Sequence, residues 1–198
     1  DIRSASWFEY GHVKNAVNVN PVDLLTHFEN NITPSDYDKI VLICYSGQSA
    51  AYFSGLLRIA GYDNVHSMNY GMSSWRVDFA ENSWLKNTSS DFDGKTETTS
   101  NAKAEKGGTP QLNTGKTEGE AILRARLEKA FATPYKESIA KSADVFANPA
   151  DLYIVDCNSS DRYDKAHIPT AVNYEPRTSL SSTSDLLTLP TNKKNCGL

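Results

Sequence analysis

The sequence has little of what marks disulfide scaffolds, membrane proteins or nucleic-acid binders. Only three of its 198 residues are cysteine, and they stand singly at positions 44, 157 and 196. This spacing indicates no disulfide framework, so reduced thiols are the default interpretation. A formal net charge of -4 gives no electrostatic case for nucleic acid or an anionic membrane surface. No apolar run approaches the roughly 18 to 20 residues of a membrane span. These absences indicate a globular protein.

The start of the chain carries no signal-peptide pattern, since it opens on "DIRSASWF". This abrupt opening indicates that a leader or an upstream strand is missing. Reduced cysteines favour the cytoplasm, whereas removal of a leader would allow a periplasmic or exported protein. The sequence does not choose between these compartments.

A polar segment divides the chain. Residues 86–120 are rich in Thr, Ser, Gly, Lys and Glu and almost free of large apolar residues, so they cannot bury enough surface to offset their ordering entropy. We interpret them as a polar linker or a long surface excursion between residues 1–85 and 121–198. A helix is predicted directly after them, where "EAILRARLEKAFATP" places Ile122, Leu123, Leu127 and Phe131 close to an apolar stripe.

An internal repeat relates the two parts. Residues 156–176 match residues 1–21 at seven of 21 positions, including the "AVN" triplet and the pair His12 and His167. A repeat of this kind indicates one supersecondary unit used twice. Because His12 and His167 recur while only the first copy has a complete cysteine loop, we expect a structural hydrogen bond from both.

Strand and helix patterns alternate along the first copy. "AVNVN", "KIVLIC" and "NVHSM" are typical of strands, while "PVDLLTHFENN" and "SAAYFSGLLRIAGY" have helical periodicity. In the second copy, "DLYIVD" predicts a strand and "YKESIAKSADVFANP" a helix. Alternation of this kind predicts an α/β fold with a mostly parallel sheet and helices on both faces.

A short loop follows the apolar run that ends on Cys44. The carboxyl end of a buried parallel strand is where open α/β sheets bind ligands. The amide groups of this loop could converge on one anion, and the following helix N-terminus favours the thiolate form of a cysteine. The candidate loop residues are Tyr45, Ser46, Gly47, Gln48 and Ser49.

These segments resemble the rhodanese family of sulfurtransferases. The resemblance rests on "DIR" at 1–3, "GHVKNAVNV" at 11–19, "CYSGQSA" at 44–50, "AGYDNV" at 60–65 and "GMSSW" at 71–75. The family implies that Cys44 takes a sulfane sulfur from a donor, holds it as a persulfide, and passes it to a nucleophilic acceptor. The resemblance implies no metal or organic cofactor.

The loop departs from the family pattern in charge. Many thiosulfate-using members carry Arg or Lys at the loop, whereas "CYSGQSAAYF" has none, and the first base after it in sequence is Arg58. This favours a persulfide or polysulfide donor over thiosulfate, with a thiol or cyanide as acceptor, and no nucleic-acid partner. The six residues from Cys44 to Ser49 form a shorter loop than that of related dual-specificity phosphatases, which must fit a phosphate.

Alternatives remain open at the sequence level. A rhodanese-like binding or redox-sensing module without turnover would have the same pattern, and phosphatase or arsenate reductase activity is a third class. Met72 and Trp75 either line the pocket rim or pack beneath the loop. Asp1 and Arg3 are predicted to form a scaffold ion pair.

The other two cysteines are not expected to act in catalysis. Cys157 follows a strand and is predicted to lie in the core. No apolar run precedes Cys196, so we expect no strand there and no activity from the second copy, which is divergent or truncated.

Overall fold

The structure is a computed structural model that describes residues 1–109, 111–181, 183–191 and the backbone of 195–197. Its contacts form two compact units. The first unit contains residues 1–88 and 113–137, and the second contains residues 89–112 and those from Ser138 onward. Each unit has its own small sheet of parallel strands.

The first unit alternates short strands with helices, which confirms the predicted α/β class. Strands β1 (Ile40–Leu42) and β2 (Val65–Ser67) pair in parallel, with Ile40 opposite Val65 and Leu42 opposite Ser67. Helix α3 makes the crossover between them. The helices of this unit are α1 (Ala5–Tyr10), α2 (Leu24–Asn30), α3 (Gln48–Ile59), α4 (Val77–Asn82) and α5 (Gly119–Ala132), and its strands are β1 (Ile40–Leu42) and β2 (Val65–Ser67).

The core of the first unit lies between the sheet and helices α2, α3 and α5. Phe53 and Leu57 of α3 are fully buried, as are Leu24 and Val65. Their neighbours include Leu127 and Phe131 of α5. Leu127 and Phe131 of the predicted stripe therefore face the core of the first unit, whereas Leu123 of the same stripe is 40% exposed.

The second unit is a three-stranded parallel sheet in the order β4-β3-β5. Ile154 of the central strand packs with Tyr163, Ala171 and Val145. The predicted strand "DLYIVD" and the helix before it are confirmed. The elements are α6 (Ser142–Ala147), β3 (Tyr153–Asp156), α7 (Ser160–Tyr163), β4 (Val172–Asn173) and β5 (Asn195–Gly197).

The polar segment contributes to both units instead of standing apart from them. Glu97 and His167 exchange two backbone hydrogen bonds, each 3.0 Å long, and the Gly107 amide donates to Leu187 O over 2.8 Å. The Phe92 ring also stacks on Phe146, with centroids 4.3 Å apart. Backbone pairing, polar side chains and this aromatic contact thus hold the segment on the second unit. The contacts place residues 89–112 in the second unit and residues 113–120 in the first, whereas the sequence predicted one linker over residues 86–120.

Each copy of the repeat contains an equivalent histidine hydrogen bond. His12 Nδ1 donates to Phe8 O over 2.8 Å and stacks on the Phe8 ring. His167 Nδ1 donates to Tyr163 O over 2.7 Å and stacks on that ring in the same way. The expected structural role of both histidines is confirmed.

The backbone of the repeat is also conserved between the copies. Asn15 and Thr170, which occupy the same repeat position, have φ of 67° and 68°. Asn18 Nδ2 donates to the carbonyls of Asp1 and Arg3, and Asn173 Nδ2 donates to those of residues 156 and 158. One supersecondary unit therefore occurs twice.

Two sequence expectations need correction. The "AVN" triplet belongs to a strand only in the second copy, as β4. In the first copy the Asp1 amino group donates to Val17 O over 2.7 Å and the Val19 amide donates to Asp1 O over 3.0 Å, but this parallel pairing extends over a single residue pair. Residues 195–197 form β5 beside β3 although no strand was expected before Cys196, an expectation that also covered positions 193 and 194, outside the described residues. Main-chain pairing with β3 needs no apolar run, so the sequence pattern gave no sign of it. The Cys196 side chain lies outside the described residues.

Candidate active site

The Cys44 sulfur lies under a tight loop between β1 and α3. The Gly47 amide donates to Cys44 Sγ over 3.1 Å, and the Ala50 amide donates to it over 3.3 Å. Cys44 is only 2% exposed. The loop thus has two amide donors converging on one sulfur, and Ala50, in the first turn of α3, lies just beyond the predicted loop residues 45–49.

Two glycines allow this path of the backbone. Gly47 has a φ of +94° and precedes α3, a left-handed conformation that L side chains rarely adopt. Gly71 has a φ of +53°, and a Cβ there would lie 2.4 Å from Cys44 O and 2.8 Å from Gly47 N. The segment after β2 therefore approaches the loop so closely that residue 71 has no room for a side chain.

Hydrogen bonds from the same segment fix the loop. The Met72 amide donates to Cys44 O over 2.9 Å, and the Ser73 amide donates to Tyr45 O over 3.0 Å. Ser73 Oγ also donates to Tyr45 O over 2.9 Å. Because the carbonyls of Cys44 and Tyr45 are bound by the segment after β2, the amides of the loop can face the sulfur.

Tyr45 ties the loop to the start of the chain. Its hydroxyl accepts a hydrogen bond from the Ser4 amide over 3.1 Å and donates to Ser4 Oγ over 3.2 Å. Its ring makes an edge contact with Trp7. Tyr45 therefore acts as an anchor for the loop, and its hydroxyl is occupied by Ser4.

A cleft of about 220 Å³ lies beside the loop. Ser46 and Gln48, both predicted site residues, line one side of it. The other lining residues, which the sequence did not single out, are Ser83, Trp84, Asn87 and Thr88. They follow α4 in a stretch without clear periodicity, where the glycosylation sequon at Asn87 does not indicate a sulfur site.

The remaining predicted site residues lie elsewhere. Ser49 is partly buried in the first turn of α3. Met72 is 1% exposed and packs with Ile43 and Phe79 beneath the loop. Trp75 is 57% exposed and does not line the cleft. Of the two roles considered for Met72, the structure places it in packing and not at the rim.

The basic side chains of Arg58 and Arg3 are bound to other groups of the protein. Arg58, the first base after the loop in sequence, lies at the far end of α3 and donates to Val65 O. The fully buried Arg3 binds the carboxylate of Asp1 at 2.7 Å, which confirms the scaffold ion pair. Burial lowers the pKa of Arg3, and the negative forms of Tyr45 and Cys44 oppose that shift. A cation thus lies near Cys44, but Asp1 already neutralises it.

Cys157 does not lie in the core, so that prediction is wrong. Strand β3 ends at Asp156, and the chain turns outward to leave Cys157 exposed. Partial burial and the neighbouring Asp156 raise the pKa of the Cys157 thiol, which disfavours its reactive thiolate form. Among the described residues, no cluster of three or more His, Cys, Asp or Glu side chains could hold a metal ion. None of the described helices has the length and apolar character needed to cross a membrane.

The fold and the cysteine loop together define a class of protein, and the sequence matches a known family of that class. The family described as "Rhodanese-like domain" matches residues 1–78 and 138–195, which include both copies of the repeat. The chain therefore belongs to the rhodanese-like domain family.

Curated relatives match the first part of the chain. It is 37% identical over 76 residues to a protein of Shewanella oneidensis named thiosulfate sulfurtransferase GlpE, an alignment that covers 38% of this chain and 71% of that protein. The protein of the same name from Tolumonas auensis is 33% identical over 76 residues, covering 38% of this chain and 69% of its own length. The one from Pseudoalteromonas translucida is 26% identical over 82 residues, covering 41% and 74%.

Proposed function

We propose that this chain is a sulfurtransferase that carries a sulfane sulfur on Cys44. The observation that carries the proposal is the pair of amides from Gly47 and Ala50 that converge on Cys44 Sγ. Amides at a helix N-terminus stabilise a negative sulfur, the form that attacks and the form left after transfer. The names of the curated relatives support the same reaction class.

The reaction would proceed in two displacements on sulfur. The Cys44 thiolate attacks the outer sulfur of a donor, the donor's sulfur–sulfur bond breaks, and the rest of the donor leaves with the electron pair. A nucleophilic acceptor then attacks the outer sulfur of the Cys44 persulfide, and Cys44 leaves as the thiolate. No net oxidation occurs, so no cofactor is needed to balance either step.

The donor that we propose is a persulfide or polysulfide. The loop and the cleft beside it offer no cationic side chain to hold the doubly charged thiosulfate, and Arg3 is buried against Asp1. A bulky anion such as phosphate or arsenate would meet the same lack of charge and a shorter loop.

The proposal is tested by loading and discharge in a single turnover. The protein is incubated with glutathione persulfide or with thiosulfate, desalted, and treated with cyanide, and the thiocyanate released is counted per protein. We expect close to one equivalent after the persulfide, less after thiosulfate, and none from Cys44→Ser. Cys157→Ser is the matched control and should release as much as the parent protein. A folded parent protein that releases none from either donor would favour a binding or redox-sensing module.

A further inference from the structure

The cleft beside the loop shares its wall with the sulfur site. Ser46 and Gln48 line it, and they flank Gly47, whose amide donates to Cys44 Sγ. A molecule in the cleft would therefore touch the loop on either side of the amide that holds the sulfur. This position is suited to a substrate of the same site.

The lining residues that follow α4 are held in place by hydrogen bonds. Ser83 Oγ donates to Phe79 O over 2.7 Å and lies 2.6 Å from Ser73 Oγ, which in turn bonds to Tyr45 O. Asn87 Nδ2 donates to Ser83 O. A chain of hydrogen bonds thus runs from the Cys44 loop to the far wall of the cleft and fixes their separation.

The chemistry of the lining is polar but without charge. Its six residues supply hydroxyl, amide and indole groups, and none of them ionises in the physiological range. Trp84 is 41% exposed and is held by an edge contact with Tyr70, with ring centroids 5.5 Å apart. A charged ligand would lose water here without gaining a counter-charge, whereas an uncharged one could pack on the indole face.

We infer that this cleft is the acceptor subsite of the enzyme and that it takes a small uncharged thiol whose carbon body packs on Trp84. The inference rests on the proposed function. The cleft has a volume of about 220 Å³, below the roughly 300–1,000 Å³ of sites for drug-sized ligands. A cleft of this size fits a small thiol. The acceptor thiol releases its proton to solvent, its sulfur bonds to the outer sulfur of the Cys44 persulfide, and the bond to Cys44 Sγ breaks. The products are the acceptor persulfide and the Cys44 thiolate.

The test measures discharge of the loaded protein by three acceptors of similar size and different charge. These are 2-mercaptoethanol, which is neutral, 3-mercaptopropionate, which is anionic, and cysteamine, which is cationic, with rates compared per thiolate. We expect 2-mercaptoethanol to be preferred over both by about tenfold in kcat/KM. Trp84→Ala should lose that preference because its KM for 2-mercaptoethanol rises. A tenfold rise corresponds to about 1.4 kcal/mol of binding free energy. Gln48→Arg should raise the rate with 3-mercaptopropionate.

The matched control is Trp75→Ala, which removes an exposed indole that does not line the cleft. It should keep the preference for the neutral thiol. If Trp84→Ala and Trp75→Ala discharge all three thiols as the parent protein does, the inference is wrong while the proposed function stands. If Cys44 takes up no sulfur, the proposed function fails first and the inference fails with it.

Discussion

At the scale of single residues, the backbone around Cys44 depends on two glycines that come from opposite sides of the loop. Gly47 supplies the left-handed turn into α3, and Gly71 allows the segment after β2 to touch the loop backbone. Together they let the amides of residues 47 and 50 reach the sulfur. The sulfur site is thus set by backbone geometry more than by side chains.

Gly71→Ala should disrupt this site. Its Cβ would lie 2.4 Å from Cys44 O, a contact that real Cβ atoms do not make, and the chain is in a left-handed conformation there. We expect a loss of at least about 2 kcal/mol in the free energy of unfolding, from strain and steric overlap, and loss of sulfur loading. Urea unfolding followed by tryptophan fluorescence measures the first effect.

Gly55→Ala is the matched control, because nothing lies within 4 Å of the added Cβ inside helix α3. It should raise stability by about 0.5–1 kcal/mol through helix propensity. Equal effects of the two substitutions would contradict the role given to Gly71.

The sequence indicated part of this site. Cys44 and Gly47 follow an apolar strand and precede a helix, so local pattern alone points to a loop at a strand end. The tight approach of Gly71 and the position of Trp84 depend on contacts between segments distant in the chain. No spacing or periodicity records such contacts, and the pairing of Arg3 with Asp1 near Cys44 was expected only as a scaffold feature.

At the scale of elements, helix α5 completes the core of the first unit although residues 83–118 separate it from α4. Leu127 and Phe131 are buried, and the Phe131 ring stacks on Phe53 with centroids 5.8 Å apart. Arg124 forms an ion pair with Glu29 of α2. The helical stripe predicted the helix, but periodicity could not tell which unit it would cover.

Phe131→Ala should therefore destabilise the first unit. Removal of a buried aromatic ring costs about 3–5 kcal/mol, whereas Leu123→Ala, on the more exposed side of α5, should cost well under 1 kcal/mol. All three tryptophans lie in the first unit, so fluorescence during urea unfolding reports on that unit alone. An unchanged midpoint for Phe131→Ala would rule out the packing of α5 on this core.

The polar segment is held on the second unit by a carboxylate. Glu97 accepts hydrogen bonds from Asn101 Nδ2 and the Thr170 amide, and it faces His167 Nε2 at 3.5 Å. These partners, with the Asn101 bond the largest cause, lower the pKa of Glu97 from its usual value of 4.5. The folded state therefore gains stability above the unfolded pKa and loses it as the pH falls through the lower folded pKa.

We expect hydrogen exchange to detect that loss. Protection factors of the Glu97 and His167 amides, which pair with each other, should fall as the pH drops below about 4.5. Glu97→Gln keeps an oxygen acceptor but cannot titrate, so its protection should be weaker at pH 7 and should lack the step attributed to Glu97. A step of the same size in both proteins would show that another group causes it.

At the scale of the whole molecule, one supersecondary unit serves twice with different content. Both copies keep the histidine stacked on an aromatic ring and the asparagine that binds two carbonyls. Only the first is followed, within the described residues, by a strand, a cysteine loop and a long helix. The repeat was visible in the sequence because its structural bonds need particular side chains, whereas β5 was not, because it pairs through its backbone. We propose that the first unit carries the sulfur chemistry and that the second does not.

The most direct test of this account is the intact mass of the protein after brief exposure to glutathione persulfide. A variant in which Cys44 is the only cysteine, Cys157→Ser with Cys196→Ser, should gain one sulfur atom that cyanide removes. Cys44→Ser, which keeps the other two cysteines, should gain no sulfur under the same exposure. The opposite pattern, or a folded Cys44-only protein that gains nothing, would contradict the claim that Cys44 carries the transferred sulfur.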